Sequence, residues 1–395
     1  MPVYLLATLD TKGPEAEFLR DRLIELGVEV ELLDTSCGGQ PGDRGTAVNA
    51  AAAKATEHVR AAFAAGKVQG VLGLGGSAGT TIGTAAMRTL PLGVPKLMVS
   101  TLASGQVRPW VGDKDILMLN SVVDIAGVNR ISRAILNEAA AAMAGMVKFS
   151  TDFNPKSPIP NPKSDRPLIA ATMFGVTTPC VQHARKILED AGYEVIVFHA
   201  TGNGGQAMES LIREGLFAGV LDVTTTELAD ELVGGILSAG PDRLTAAAQM
   251  GIPQVVSVGA LDMVNFGPRD TVPEKFAGRK FHIHNSSVTL MRTTPEENSL
   301  LGQEIGRKLS ASTGLAAIML PRHGASAIDK TGQPFDDPAA REALYNAIRT
   351  HHGQTELIET DAHINDESFS AAAAHTLLTM IKTKSHTEPQ RHRES

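Results

Sequence analysis

The sequence predicts an α/β fold with two Rossmann-like, doubly wound parallel-sheet domains. Its 395 residues exceed the usual size of a single hydrophobic core, which favours two domains. Short apolar segments alternate with helical ones, and this alternation is typical of parallel sheets covered by helices on both faces. The order of these segments recurs in the second half, which indicates an internal duplication with a cleft between the two domains.

The first half begins with a β-α-β unit. Apolar and amphipathic patterns predict a strand, a helix and a second strand at 3–9, 14–26 and 28–33. An alanine-rich helix from about Val48 to Ala65 follows, and an apolar strand then enters the glycine-rich stretch GLGGSAGTT at 73–81. A second alanine-rich segment, from about Val128 to Lys148, is predicted to be the last helix of this domain.

The second half repeats these elements in the same order. A strand at 168–172 leads to a helix that ends near Gly192 and then to a strand at 193–198. Two further segments match the first half, because 218–223 parallels 69–74 and 251–257 parallels 93–100. Corresponding elements in one order are the signature of a duplicated unit.

The domain boundaries follow from composition. Four prolines between Asp152 and Ser164 can continue neither a helix nor a central strand, so this segment is predicted to be an extended linker. The end of the chain is polar and without aromatic residues, which is typical of a frayed tail. The predicted organisation is a domain at 1–150, a linker at 151–166, a domain at 167–384 and a tail at 385–395.

Charge and composition exclude several classes of partner. The 36 basic and 43 acidic side chains give a formal charge of -7 and are spread along the chain, so there is no basic field for nucleic acid or an anionic membrane. No apolar stretch is long enough to span a bilayer, and the first residues lack the pattern of a signal peptide. Two cysteines, Cys37 and Cys180, suit a reducing compartment, so we expect a cytoplasmic protein.

The glycine-rich stretch is the first candidate site. Gly75, Gly76 and Gly79 let backbone N–H groups approach an anion, and the neighbouring hydroxyls are supplied by Ser77, Thr80 and Thr81. In an open parallel sheet such a loop lies at the carboxyl end of a strand, where phosphates bind. The alternative is a tight turn that packs the helix closely against the strand.

The stretch departs from the named phosphate-binding motifs. It lacks the Gly-Lys-Ser/Thr ending of a P-loop. Residues 73–78 fit the G-x-G-x-x-A variant of the dinucleotide fingerprint, but that motif belongs after the first strand of its unit. NAD(P) binding therefore stays open as an alternative to ATP.

Two further loops are predicted to complete the pocket. After the first strand come Thr8, Asp10, Thr11 and Lys12, and the lysine is placed to reach a phosphate. Asp10 is a candidate to hold Mg²⁺ through ATP or to bind a ribose hydroxyl. The third loop, after the strand that ends near Ser100, offers Ser104 and Gly105.

Four longer motifs carry a family resemblance. They are ATLDTKG at 7–13, GLGGSAGTT at 73–81, DVTTTELADEL at 222–232 and LMRTTPEEN at 290–298. With them the chain resembles, over nearly its whole length, the ATP-binding N-terminal domain family of the tomato mosaic virus (tobamovirus) resistance protein and its uncharacterised bacterial homologues. The resemblance implies two Rossmann-like subdomains, a homodimer and ATP binding. We therefore predict that ATP, with magnesium, is a structural or regulatory ligand of the first domain. It does not carry antiviral inhibition to this chain.

The second half offers candidate substrate contacts. They are His199, Asn203, Asp222, Asp262 and Arg292, all at predicted strand ends or helix starts. His199 and Asp222 have side chains suited to acid or base chemistry, which supports the alternative of an ATP-dependent enzyme acting on a small polar or carboxylate metabolite in the interdomain cleft. The same residues also fit hydroxyl-capped helices and glycine turns, and no catalytic residue is assigned.

Two weaker candidates complete the sequence prediction. His282 and His284 share one face of a predicted strand at a spacing seen in metal sites, but no third ligand is evident, so structural histidines are favoured. Cys180 follows Pro179 at a helix start, a position that lowers a thiol pKa, but no base is predicted beside it.

Overall fold

The computed structural model describes residues 1–37, 44–149 and 166–387. The chain divides into two compact units, Met1–Ser164 and Asp165–Ser395. The predicted proline-rich linker, apart from Arg166, and the last eight positions of the predicted tail, 388–395, lie outside the described residues. Within the described residues, no helix is both long and apolar enough to cross a membrane.

The first unit is a five-stranded parallel sheet with helices on both faces. Its strands are β1 Val3–Ala7, β2 Val30–Asp34, β3 Gly70–Gly75, β4 Lys96–Ser100 and β5 Leu117–Asn120. Its helices are α1 Leu9–Glu25, α2 Arg44–Ala64, α3 Ser77–Met87, α4 Arg108–Val111 and α5 Arg130–Phe149. The strand order is β2-β1-β3-β4-β5.

The central strand β1 shows why both faces are covered. All five of its residues are buried. Val3, Leu5 and Ala7 pack with α1 and α5, whereas Tyr4 and Leu6 pack with α2 and α3 on the other face. A continuous apolar run is what a strand buried on both faces requires.

The first helix starts earlier than the sequence predicts. α1 begins at Leu9, not at Pro14, so Asp10 to Lys12 form its first turn instead of a loop. Lys12 has non-helical angles, φ -129° and ψ 20°, which separate this turn from the rest of the helix. The break lies two residues before Pro14, which has no N–H to give to a continuous helix.

The second unit contains a six-stranded parallel sheet and a three-stranded antiparallel one. The large sheet comprises β6 Leu168–Met173, β7 Glu194–His199, β8 Phe217–Thr224, β9 Gln254–Gly259, β13 Ala316–Pro321 and β14 Glu356–Thr360. The small sheet comprises β10 Met263–Phe266, β11 Phe281–Asn285 and β12 Val288–Arg292. The helices are α6 Thr178–Asp190, α7 Asn203–Arg213, α8 Glu227–Val233, α9 Ala246–Met250, α10 Pro295–Ser310, α11 Pro338–His351 and α12 Glu367–Thr387.

Both large sheets have the same strand order. The second sheet runs β14-β13-β9-β8-β6-β7, so its first five strands in chain order repeat the arrangement β2-β1-β3-β4-β5. The predicted α/β class with two Rossmann-like parallel sheets is confirmed. In each sheet the direction of the crossovers reverses beside the first strand, between β1 and β3 and between β6 and β8. Ligands of open α/β sheets bind at the carboxyl ends of the strands at such switch points.

Candidate nucleotide site

The switch point of the first unit brings the predicted loops to one edge. Ala7 of β1 pairs with Leu74 of β3, and Gly75 pairs with Ser100 of β4. The residues that follow these strands therefore emerge side by side, because parallel strands end at the same edge of their sheet. All the residues predicted for the first-unit site end or follow these three strands, namely Thr8, Asp10, Thr11, Lys12, Gly75, Gly76, Ser77, Gly79, Thr80, Thr81, Ser104 and Gly105.

The start of α3 is open to a ligand. Gly76 is its N-cap residue, with φ -79° and ψ -153°, and within the described part of the chain no side chain caps the helix. The nearest described atom to a Cβ built on Gly76 would be Oγ1 of Thr101, 3.7 Å away. Ser77 is exposed, and no acidic side chain stands in the first turn. Free N–H groups at a helix start attract anions, so this end of α3 can accept a phosphate without displacing a side chain.

Gly75 and Gly79 have a different role from Gly76. A Cβ on Gly75 would lie 2.8 Å from the Cα of Gly79, and a Cβ on Gly79 would lie 3.1 Å from the carbonyl oxygen of Leu74. The two glycines therefore allow α3 to pack directly against the end of β3. The packing alternative considered for the stretch describes these two positions, whereas the phosphate interpretation fits Gly76.

The threonines of α3 hold the loops together. The hydroxyl of Thr80 is buried, donates to the carbonyl of Gly76 at 2.7 Å and lies 2.7 Å from Oγ of Ser100. The hydroxyl of Thr81 donates to the carbonyl of Ser77 at 2.9 Å and accepts a bond from the indole Nε1 of Trp110 at 3.3 Å. These two hydroxyls bond to residues of the helix start and of its neighbours and so hold the helix start in position. Ser104 and Gly105, in contrast, are exposed.

The start of α1 is closed by its neighbours. The N–H of Leu9 donates to Oδ1 of Asp34 at 3.2 Å, and the N–H of Asp10 donates to Oγ of Ser36 at 3.1 Å. Thr8 is buried, and its hydroxyl lies 2.9 Å from that of Thr11. An anion at this helix would have to displace both caps, whereas the start of α3 has no side-chain cap among the described residues.

Asp34 was not identified by the sequence prediction. It is the last residue of β2, its Cα is the register partner of Ala7, and its side chain is exposed. Besides the bond from Leu9, Oδ1 accepts bonds from the N–H and the hydroxyl of Ser36 at 2.9 and 2.5 Å. Partial burial acts to raise the pKa of Asp34, but the bonds from Ser36 and Leu9 outweigh it and lower the pKa. The carboxylate is therefore ionised at neutral pH.

Lys12 and Glu15 hold the loop that follows β5. Nζ of Lys12 donates to the carbonyl of Ile125, and Oε1 of Glu15 accepts a bond of 2.5 Å from the N–H of Gly127. An ammonium has three donors, so Lys12 keeps capacity for a phosphate oxygen. In the same loop the exposed Val122 has φ 61°, a conformation that β-branched residues rarely adopt. The anchored loop thus stores backbone strain next to the candidate site.

The switch point of the second unit is filled by its own side chains. Arg243 is fully buried and donates to both oxygens of Asp222 at 2.5 and 2.7 Å and to Oε2 of Glu227 at 2.7 Å. Oε1 of Glu227 in turn accepts the N–H groups of Gly202 and Gly205 at 2.7 and 3.0 Å, which closes the start of α7. Burial acts to lower the pKa of Arg243, but the surrounding carboxylates raise it well above its ordinary value.

The predicted second-unit contacts separate into two groups. His199 and Asn203 are exposed near the end of β7. Asp222 is 1% exposed and also accepts a bond of 2.7 Å from the hydroxyl of Thr172, so its carboxylate is bonded inside the Arg243 network. The sequence alone could not show this, because Arg243 lies far along the chain in a loop without a recognisable motif.

Asp262 and Arg292 lie in a second buried cluster. Arg292 lies 3.2 Å from Asp329, and Asp262 accepts a bond of 2.9 Å from the hydroxyl of Ser326. The other oxygen of Asp262 has no hydrogen-bond partner among the described residues. Desolvation, with the nearby charge of Asp329, raises the pKa of Asp262. Both predicted contacts are thus interior residues of the second unit.

The structure does not support the two weaker candidates. His282 and His284 lie on β11 at the predicted spacing, but the described residues contain no group of three or more His, Cys, Asp or Glu side chains that could hold a metal. Cys180 does lie at the start of α6, but it is fully buried and desolvation raises its pKa to about 12. The expectation of a lowered thiol pKa is wrong, because burial outweighs the favourable helix start.

The fold defines a protein with two doubly wound α/β units, and at the switch point of the first unit the start of α3 has no side-chain cap among the described residues. Family models for the N-terminal and C-terminal domains of the uncharacterised protein family UPF0261 match residues 39–152 and 166–381. A UPF0261 protein of Clostridium tetani is 46% identical over 96% of this chain and 99% of its own length. The chain belongs to the UPF0261 family.

Two other relatives extend the comparison. A UPF0261 protein of Rhizobium meliloti is 44% identical over 94% of this chain and 97% of its own length. The ToMV resistance protein Tm-1(GCR237) of Solanum lycopersicum is also 44% identical, over 81% of this chain but only 43% of its own length. These matches agree with the resemblance drawn from the four sequence motifs.

Proposed function

We propose that the first unit binds ATP, with the phosphates at the start of α3, and that ATP acts as a structural or regulatory ligand. The observation that carries the proposal is the open space at Gly76, where the helix lacks a side-chain cap among the described residues and the nearest described atom to an added Cβ is 3.7 Å away. The position at the switch point between β1 and β3 supports the same assignment.

Lys12 and Asp10 would complete the site. The ammonium of Lys12 uses one of its three N–H donors to bind the carbonyl of Ile125, which leaves two for phosphate oxygens. Asp10 is exposed in the first turn of α1. This helix follows β1, which pairs with β3, the strand that precedes α3. Magnesium in nucleotide sites commonly takes one or two carboxylates together with phosphate oxygens, so a single aspartate fits this need. Bound there, Mg²⁺ would supply neutralisation of the phosphate charge.

A ligand role is favoured over catalysis by the state of the nearby hydroxyls. Those of Thr80 and Thr81 donate to backbone carbonyls, which cannot take up a proton, so these bonds do not activate the hydroxyls as nucleophiles. In the second unit the side chains predicted for acid or base chemistry include Asp222, which is neutralised by Arg243. Steady-state ATP hydrolysis, measured with and without a panel of small carboxylate metabolites, tests this choice, since turnover would establish the enzyme alternative.

Calorimetric titration tests the ATP site itself. We expect the wild-type chain to bind ATP, and Gly76→Asn to fold normally but lose ATP, because the side-chain oxygen of an asparagine at the N-cap accepts hydrogen bonds from the N–H groups that the phosphate needs. Gly145→Asn is the matched control, because a Cβ at Gly145 in α5 meets no described atom within 4 Å and α5 starts elsewhere.

Three ligands make the titration decisive. ATP and ADP should bind more tightly than NAD if the phosphates are held at α3 with help from Lys12. Equal binding of NAD and ATP, unaffected by Lys12→Ala, would establish the dinucleotide alternative. Unchanged ATP affinity in folded Gly76→Asn would show that the loop only turns the chain.

A further inference from the structure

We propose that the outer edge of β5 is an interface at which two copies of this chain join their first-unit sheets into one continuous sheet. β5 is the last strand of its sheet, and no described strand pairs with its outer side. This side of Leu117–Asn120 is called the β5 edge below. The proposal concerns a surface of the first unit and does not depend on the ATP site.

The second unit shows that a further strand fits at this position. Because the two large sheets share one strand order, β13 is the counterpart of β5, and β14 pairs with β13 in parallel. The first sheet has no counterpart of β14 among the described residues. Five of the six residues of β13 are buried, whereas none of the four residues of β5 is. The β5 edge is therefore open where the second unit has a strand.

β5 also lacks the charges that the other outer strands carry. The outer strands β2, β7 and β14 contain acidic residues, namely Glu31, Asp34, Glu194, Glu356 and Glu359. β5 reads Leu-Met-Leu-Asn and has no charged side chain. Charges on an outer strand oppose its pairing with another chain. Of the four outer strands of the two large sheets, β5 is thus the one suited to such pairing.

The backbone of β5 offers donors and acceptors on its outer side. The N–H of Ser121 donates to the carbonyl of Ser100 in β4 at 3.1 Å, so Ser121 and, two residues earlier, Leu119 face β4. Met118 and Asn120 then direct their backbone groups outward, where no bond to them is seen among the described residues. An antiparallel second copy, centred on Leu119, sets Met118 of each copy against Asn120 of the other. Each such pair exchanges two hydrogen bonds.

Exposed apolar side chains lie at both ends of the strand. Leu117 is 48% exposed and Val122 is 66% exposed. Leu117 shares a face with Leu119, which packs against the core on the α5 side of the sheet, and Ile131 in the first turn of α5 is 50% exposed. Antiparallel pairing places the beginning of one strand beside the end of the other, so Leu117 of each copy lies next to Val122 of the other.

A second copy is the occupant that these features favour. A two-fold interface uses the same patch on both subunits, so a single contact covers two open edges and both sets of apolar side chains at once. The uncharged strand adds no like-charge repulsion across the two-fold axis. The β5 edge is thus self-complementary.

The experiment is a mass measurement of the full chain by sedimentation velocity at increasing protein concentration, without nucleotide. We expect the wild-type chain to form a dimer. Leu117→Lys puts an ammonium into the contact and should weaken the dimer by at least about tenfold. Val122→Asp should act similarly, and aspartate tolerates the φ of 61° at this position. Leu315→Lys is the matched control, because Leu315 is 41% exposed and directly precedes β13, whose edge β14 already covers.

Mixing the two variants tests the antiparallel contact itself. In a mixed dimer the new ammonium of one chain meets the new carboxylate of the other, and the second contact keeps the native Leu117 and Val122. We expect Leu117→Lys and Val122→Asp to dimerise when mixed although each associates weakly alone. Circular dichroism establishes that each variant folds, and either one tests the β5 edge by itself if the other does not fold.

Three results would overturn the proposal. The first is a wild-type chain that stays monomeric at every concentration. The second is a dimer of unchanged affinity in the folded Leu117→Lys and Val122→Asp variants, since the copies would then meet elsewhere. The third is a dimer that Leu315→Lys weakens as much as Leu117→Lys does. Failure of the mixture to dimerise, with both variants folded, would refute the antiparallel pairing of Leu117 with Val122.

Discussion

Nε of Arg243 lies 2.7 Å from Oε2 of Glu227, and both side chains are completely buried. Glu227 is the first residue of α8, the helix that follows β8, and α3 follows the corresponding strand of the first unit. The two sheets share one strand order but differ at this position. The second unit fills its switch point with an internal ion cluster, whereas the first leaves its helix start uncapped within the described residues.

Replacing Arg243 should destabilise the protein strongly. Arg243→Lys keeps the charge but loses the fork that joins Glu227 to Asp222, so buried carboxylates lose their partners. We expect a loss of roughly 3 to 5 kcal/mol in unfolding free energy, measured by denaturant titration. Arg185→Lys makes the same change in an exposed pair with Glu189 and should cost less than about 1 kcal/mol. Equal effects would contradict a structural role for the cluster.

The stability of the protein should fall as pH rises toward neutrality because of Asp230. Desolvation, with a contribution from Glu227, raises its pKa to about 7, against the hydrogen bonds from Asn265 and Leu237. An acid with a raised pKa contributes stability below its unfolded pKa of about 4, and this contribution is lost as pH rises through the folded value.

Asp230→Asn removes that titration. The variant should show a flatter dependence of unfolding free energy on pH between about 4 and 7, by on the order of 3 kcal/mol. Asn265 can turn its amide so that its Oδ1, which has no partner among the described residues, accepts from the new side chain. Asp190→Asn, in an exposed pair with Lys186, is the control and should follow the wild-type curve. Parallel curves for all three proteins would refute the assignment.

Alanine substitutions at two glycines of the first unit should change stability differently, because the added Cβ atoms have different surroundings. Gly75→Ala would place its Cβ 2.8 Å from the Cα of Gly79, so backbone must move, and we expect a loss of about 1 to 3 kcal/mol. Gly13→Ala meets no described atom within 4 Å and lies inside α1, so it should be neutral or stabilise by up to about 1 kcal/mol. Thermal unfolding of the two variants measures both. Tolerance of alanine at Gly75 would mean that β3 and α3 pack less closely than described.

Lys12 should contribute directly to ATP affinity. Lys12→Ala removes a charged donor and should weaken ATP binding about tenfold to a hundredfold by calorimetry. Lys67→Ala removes an exposed lysine that precedes β3, at the opposite edge of the sheet, and should leave the affinity unchanged. If both variants bind ATP as the wild type does, Lys12 serves only to anchor the loop at Ile125.

The fold could be predicted from the sequence because the signals for its strands and helices are local and repeated. The apolar run of β1, the positive-φ Gly27 after α1 and the capping box of Thr294 and Glu297 at the start of α10 are each readable within a few residues. The early start of α1 was missed because proline is common in the first turn of a helix, so the predicted helix was started at Pro14.

The site was predicted in part, and the missing parts are long-range. Gly76 and its neighbours were predicted to form an anion site from their residue types alone. Asp222 is held in an ion pair by Arg243, which lies 21 residues further along the chain. Asp34 caps α1 because β2 pairs with β1. The acid at the end of the second strand was a readable signal, because dinucleotide folds use such a residue for the ribose.

Trp110 is the only tryptophan of the chain, and its indole donates to Thr81 in α3. Its emission is therefore an optical probe built into the first unit, one helical turn from the proposed phosphate position. Excited selectively, it reports ligand arrival without a label. In a melting experiment it follows the first unit, while far-ultraviolet circular dichroism follows both units, so the two signals together assign each transition to its half of the chain.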